Sequence, residues 1–121
     1  MIDQDGLASL FAGLRAVITV ADENGRIIYL NDLAIEHYSD RGGDRLLGTN
    51  LGDCHSPDSQ KKIKDIYARH RAGDLVPTRY YKAKGDGRAE SIVLIPLVIE
   101  GAFRGVAEVM WTERSDLVFE T

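Results

Sequence analysis

Asp53, Cys54 and His55 stand side by side in the 121-residue chain. Cys54 is its only cysteine, and His55 is one of its three histidines. A carboxylate, a thiol and an imidazole in one place suggest two chemistries. Metal ligation calls for three or four donors, in spacings such as C-x-x-C or H-x-x-x-H. A cysteine nucleophile calls for a base that a third group orients. Neither pattern is completed, because adjacent residues on a regular element point apart and no spaced ligands supply the rest. The plainer reading is a loop leading into a helix, with Cys54 as a small buried hydrophobe. Between these stands a third reading, in which Cys54 and His55 line a pocket. His70 shares a helical face with Ile63, Ile66 and Tyr67. That setting suits a hydrogen-bonded core histidine or a group facing a cavity. His37 and Tyr38 close a short helix, one of them facing inward. Tyr80 and Tyr81 are adjacent on a strand and must point to opposite faces.

The elements that position these residues are legible from period and punctuation. Leu7, Leu10, Phe11 and Leu14 recur at helical spacing, so a short amphipathic helix opens the chain. It either packs on its own domain or forms a dimer contact. Val17–Ala21 and Arg26–Leu30 flank Asp22-Glu23-Asn24-Gly25, a strong hairpin signal. A short helix is expected over Leu33–Tyr38, and one helical turn near Asp44–Leu47. Ser56-Pro57-Asp58 reads as a helix start: serine caps, proline suits the first position, and aspartate favours the positive end. Gly73 stops that helix. Val76–Lys84, Arg88–Ile99 and Ala102–Thr112 then form a strand meander, turning at Gly85-Asp86-Gly87 and Glu100-Gly101. Pro96 inside the middle strand implies a bulge, a local break or an edge position. Residues 92–99 are apolar on both alternating faces, so something must cover each side.

The totals exclude several function classes. The net charge is −4, with 15 basic residues scattered among 19 acidic ones, so no nucleic-acid footprint stands out. The N-terminus lacks the basic region of a signal peptide, and no apolar run reaches a membrane span. A single cysteine suits the reducing cytoplasm. Gly85-x-Gly87 is a turn and opens no phosphate-binding helix, and no G-K-[ST], kinase or G-x-S-x-G pattern occurs. Helix, two strands, short helices, one longer helix and three strands make an α+β domain.

In sequence, "AVITVADENGRIIYLND", "LAIEHYSD", "RLLGTNLGDCHSPDSQKKIKDIYARHRAGD" and "TRYYKAKGDGRAESIVLIPLVIEGAFRGVAEVMWTE" together resemble a PAS domain over residues 7–113. The phrase "LGDCHSPDSQKKI" is similar to PAS modules of poorly characterised bacterial and archaeal proteins, some beside hemerythrin-like domains. The resemblance implies a PAS fold: a five-stranded antiparallel sheet in order 2-1-5-4-3, helices on one face, and an N-terminal flanking helix. The divisions expected are residues 1–15 for that helix, 16–113 for the PAS domain and 114–121 for a tail. It further implies a sensory or regulatory module without catalysis of its own, which binds a small ligand or a partner in the cytoplasm. Homodimers would form through the N-terminal helix and the outer sheet face, with no nucleic acid or membrane as partner. The family's cavity holds haem, flavin, a carboxylate metabolite, a fatty acid or nothing. His70 is the candidate haem ligand and His55 its alternative, as part of a haem-based redox or gas sensor. Cys54, Tyr38, Tyr67 and Ile66 are candidate pocket residues. A small metal or thiol enzyme using Cys54 and His55 is the remaining alternative. The asparagine–cysteine–arginine motif of flavin photosensors is absent, since His55-Ser56 follows Cys54.

Overall fold

The computed structural model describes residues 3–121, apart from the side chain of Cys54. Helix α1 spans Gln4–Ala12, and β1 (Val17–Asp22) and β2 (Ile27–Leu30) form a hairpin. Helix α2 (Asp32–His37) and three short 3-10 turns lead to the long helix α3 (Pro57–Arg71). Strands β3 (Thr78–Gly85), β4 (Arg88–Ile99) and β5 (Ala102–Arg114) follow. The five strands form one antiparallel sheet in the order β2-β1-β5-β4-β3. This is the expected topology, with helix and strand ends shifted by a residue or two.

Local chemistry explains the joints. In the hairpin, the Asp22 carboxylate accepts from the backbone N–H groups of Asn24 and Arg26 at 2.9 and 3.0 Å. Gly25 supplies the left-handed residue, at φ 80°. Ser56 caps α3 by accepting from the Ser59 N–H, and Pro57 opens the first turn. Gly105 sits where β5 presses on β1, and any Cβ there would run into the Ala21 carbonyl oxygen. Pro96 lies in β4, an interior strand, yet β3 pairs with β4 only as far as Leu94. Its missing N–H therefore costs no ladder bond on the β3 side, and the β4–β5 register slips just beyond it, between Leu97 and Val98.

The core has two parts on the helix-covered face. Val17, Ala21, Ile27, Leu30, Ala34, Leu46, Leu51 and Met110 form one. Ile66, Tyr67, Leu94 and Val106 form the other, under α3. Ile63 and Ile92 pack against both.

Asn31 ties the first part together. Its side chain is buried, and Oδ1 accepts from the backbone N–H groups of Ala34 and Ile18 at 3.0 and 3.1 Å. Nδ2 donates to the carbonyls of Ala16 and Leu14 at 2.7 and 3.2 Å. One amide thus caps α2, joins it to β1 and holds the segment arriving from α1.

The opposite sheet face is left open. Val93 is half-buried, while Ile95 and Ile99 are 39% and 59% exposed. Helix α1 does not cover it. Leu7, Leu10, Phe11 and Leu14 are each 42–57% exposed, and α1 buries none of its residues. The reading in which this helix packs on its own domain is thereby corrected: among the described residues its apolar stripe stays exposed. No helix among the described residues is long and apolar enough to cross a membrane.

Replacing Asn31 with alanine strands several backbone groups in the core. Asn31→Ala should lower the unfolding free energy by about 2–4 kcal/mol in urea titrations. A loss below about 1 kcal/mol would contradict the tie.

Candidate functional site

Strand alternation places Val106, Glu108 and Met110 of β5 on the helix-covered face. Glu108 is directly opposite Thr19 of β1 and Leu94 of β4. A carboxyl group therefore enters the core from the middle strand of the sheet, with only 6% of the residue exposed. Above it passes the N-terminal half of α3. Between them lies a partly open cavity of about 130 Å³. Ile63, Ile92, Leu94 and Tyr80 make its apolar walls, and His55, Ser59, Lys62 and Glu108 its polar lining. The cavity opens where the two parts of the core meet, since Ile63 and Ile92 belong to the boundary of both.

The polar groups are arranged around Glu108. The Tyr38 hydroxyl donates to Oε1 at 3.5 Å, the long limit of a hydrogen bond. Nε2 of His55 stands 3.8 Å from Oε2. The other His55 nitrogen, Nδ1, is 2.8 Å from the Leu51 carbonyl, an acceptor only, so Nδ1 carries the proton. In the neutral ring Nε2 is then a lone pair directed at the carboxyl group. Thr19, the cross-strand neighbour, has a buried hydroxyl with no hydrogen-bond partner among the described residues. Burial is the largest influence on Glu108 and pushes its pKa above the usual carboxylate range. His55, the Tyr38 hydroxyl and His37 oppose that shift without cancelling it. At the rim, the Lys62 ammonium lies over the Tyr80 ring, 5.5 Å from its centre.

Of the candidates read from the sequence, His55 lines the cavity and Tyr38 supports it through Glu108. Ile66, Tyr67 and His70 lie further along α3, outside the lining. Ile66 and Tyr67 seal the core against Leu94 and Val106. The Tyr67 hydroxyl donates to the Asp22 carbonyl at 2.9 Å, and burial, with Asp22 adding to it, pushes its pKa up to about 12. His70 is 1% exposed and its ring is 5.7 Å from that of Phe103. Its Nδ1 donates to the Asp74 carbonyl at 2.7 Å, and Nε2 is buried without a partner among the described residues. The side chain of Cys54 lies outside the described structure. Among the described residues no three His, Cys, Asp or Glu side chains gather as ligands for a metal ion.

Haem does not fit this site. A cavity of about 150 Å³ accommodates benzene, and this one is no larger. His70 faces Phe103 and lines no part of it, while Nε2 of His55 is directed at a carboxyl group.

A family model described as "PAS fold" matches residues 11–114. The chain belongs to the PAS family. Its fold is similar to that of the PAS domain of BvgS from Bordetella pertussis, with 20% identity and a TM-score of 0.65 over 93% of this chain and 89% of that one. A sensory box sensor histidine kinase from Vibrio cholerae matches with 14% identity and a TM-score of 0.62, over 89% of each chain. The Aer2 receptor from Vibrio cholerae, a dual PAS-heme oxygen sensor, matches with 18% identity and a TM-score of 0.57, over 83% of this chain and 96% of that one. At these identities the likeness concerns the fold. No curated protein matches the chain in sequence.

Glu108 gives a pH signature with a definite sign. Its folded pKa lies above its unfolded value, so the neutral acid is the form the fold favours. Its contribution is fully present below the ordinary glutamate range and is lost as pH rises through the raised folded value. Glu108→Gln keeps the shape and cannot ionise. The variant should therefore gain on the wild type as pH rises above that range, in melting temperatures taken across a pH series. A constant difference between the two proteins would show that Glu108 titrates as a solvated group.

Proposed function

We propose that this PAS domain is a sensory module that takes a small ligand into the cavity between α3 and β3–β5 and signals through a rearranged dimer. The supporting observation is the cavity itself, which joins apolar walls to a buried carboxyl group held only by long contacts to Tyr38 and His55 among the described residues. A fully satisfied core would gain nothing from such a group, whereas a binding site gains orientation and selectivity from it. Ligand in the cavity would press on Ile63 and Ile92 at the junction of the two core parts. Displacing α3 against β4 is then the step that couples occupancy to the outer sheet face. Binding accounts for the cavity, and a chemical step at His55 is not required by it. The single cysteine accords with a cytoplasmic setting.

The dimer surface we assign to α1 and the outer sheet face of two copies. Both carry exposed apolar side chains: Leu7, Leu10 and Phe11 on the helix, and Ile95 and Ile99 on the sheet. Each is of a kind that buries the other. Both stay exposed in the single chain.

Two measurements test the reading. Light scattering after size exclusion should give twice the 13.4 kDa chain mass, and Phe11→Asp should weaken the dimer at least tenfold. A wild-type monomer at every concentration would remove the dimer from the account. Filling the cavity with Ile63→Trp should abolish ligand-linked rises in melting temperature. A ligand that stabilises this variant as strongly as the wild type must bind elsewhere.

A further inference from the structure

The lining of the cavity is unusual in the polarity it presents. At its floor stand the Glu108 carboxyl group and the His55 imidazole, whose Nε2 lies 3.8 Å from Oε2, beyond hydrogen-bond distance. On the far side of the ring, Nδ1 donates to the Leu51 carbonyl. The side chain of Glu108 is more than nine-tenths buried and faces the cavity. Its one donor within hydrogen-bond range among the described residues is the Tyr38 hydroxyl, at the long distance of 3.5 Å. The carboxyl oxygens thus face the cavity with no closer donor among the described residues. Apolar side chains enclose the rest: Ile63 above, Ile92 and Leu94 below.

We infer that the cavity is an amine site, which takes a small organic cation with a benzene-sized apolar body. This rests on the reading of the cavity as a ligand pocket. The ammonium group of the ligand lies between Glu108 and Nε2 of His55 and donates to both. Three N–H donors on one charged centre match this cluster of acceptors, and a hydroxyl, with one donor, does not. Glu108 gives up its proton to solvent as the ammonium arrives, and the cation offsets the cost of a charged carboxylate in the core. A charge-assisted hydrogen bond inside an apolar enclosure is about twice as strong as a neutral one, which sets the selectivity. An anionic ligand would meet the Glu108 carboxyl group head-on. Lys62 does not reverse this preference. It is exposed at the rim, held over the Tyr80 ring, where solvent screens it.

Calorimetric titration with benzylamine, benzyl alcohol and benzoate at neutral pH tests the assignment. The three probes share an aromatic body and differ in the head group. The wild type should bind benzylamine at least tenfold more tightly than benzyl alcohol, and benzoate most weakly. Glu108→Gln should erase the amine preference while still binding benzyl alcohol. The comparison among probes in the wild type needs no variant, so a poorly folding Glu108→Gln leaves the test intact. Equal affinities for amine and alcohol, or a preference for benzoate, would overturn the amine assignment and leave the pocket standing. A wild type that binds none of the three would overturn both the amine assignment and the pocket.

Discussion

The register of β5 is the constraint on which the rest of the molecule depends. This strand pairs with β4 along its whole length and with β1 over Gly105–Met110, the stretch that holds Glu108. Its alternation directs Val106 and Met110 into the core, and Glu108 must go with them. A slip of one residue would release the carboxyl group and expel both apolar neighbours, so the sheet cannot relieve the charge without losing its core. The surroundings accommodate it instead. His55, Tyr38 and the N-terminal turns of α3 stand back far enough to leave a cavity over it, and the core divides into two parts around that space.

Two devices keep the division from weakening the fold. Asn31 gathers four backbone groups from α2, β1 and the incoming segment into one buried amide. That ties together the first core part, which α3 meets through Ile63. On the other side, Ile66, Tyr67 and His70 close α3 onto Leu94, Val106 and Phe103. The helix is thus anchored by its C-terminal half and spans the cavity with its N-terminal half. A ligand acting there works against the less firmly packed end.

Much of this was legible in the sequence. The hairpin followed from Asp22 to Gly25, the start of α3 from Ser56-Pro57-Asp58, and the sheet order from the resemblance over residues 7–113. The two-sided apolar run at 92–99 anticipated an outer face in need of a cover, which α1 does not provide within the chain. Helical period put Ile63, Ile66, Tyr67 and His70 on one face correctly. It carries no information on where along that face a cavity opens, so attention fell on His70 when the lining is Ser59, Lys62 and Ile63. Glu108 was missed for a related reason. In "GVAEVMW" both alternating sets are apolar apart from one acid, so period alone does not say which set faces the helices. An acid flanked by apolar residues in a strand buried on both sides was the available signal.

Carbon-13 NMR of the glutamate side-chain carboxyl groups, followed through a pH titration, tests the central claim most directly. Glu108 should titrate above the ordinary glutamate value of about 4.3, and its resonance should move when benzylamine is added. A Glu108 midpoint at the ordinary value, unchanged by the amine, would place the carboxyl group in solvent and contradict the account.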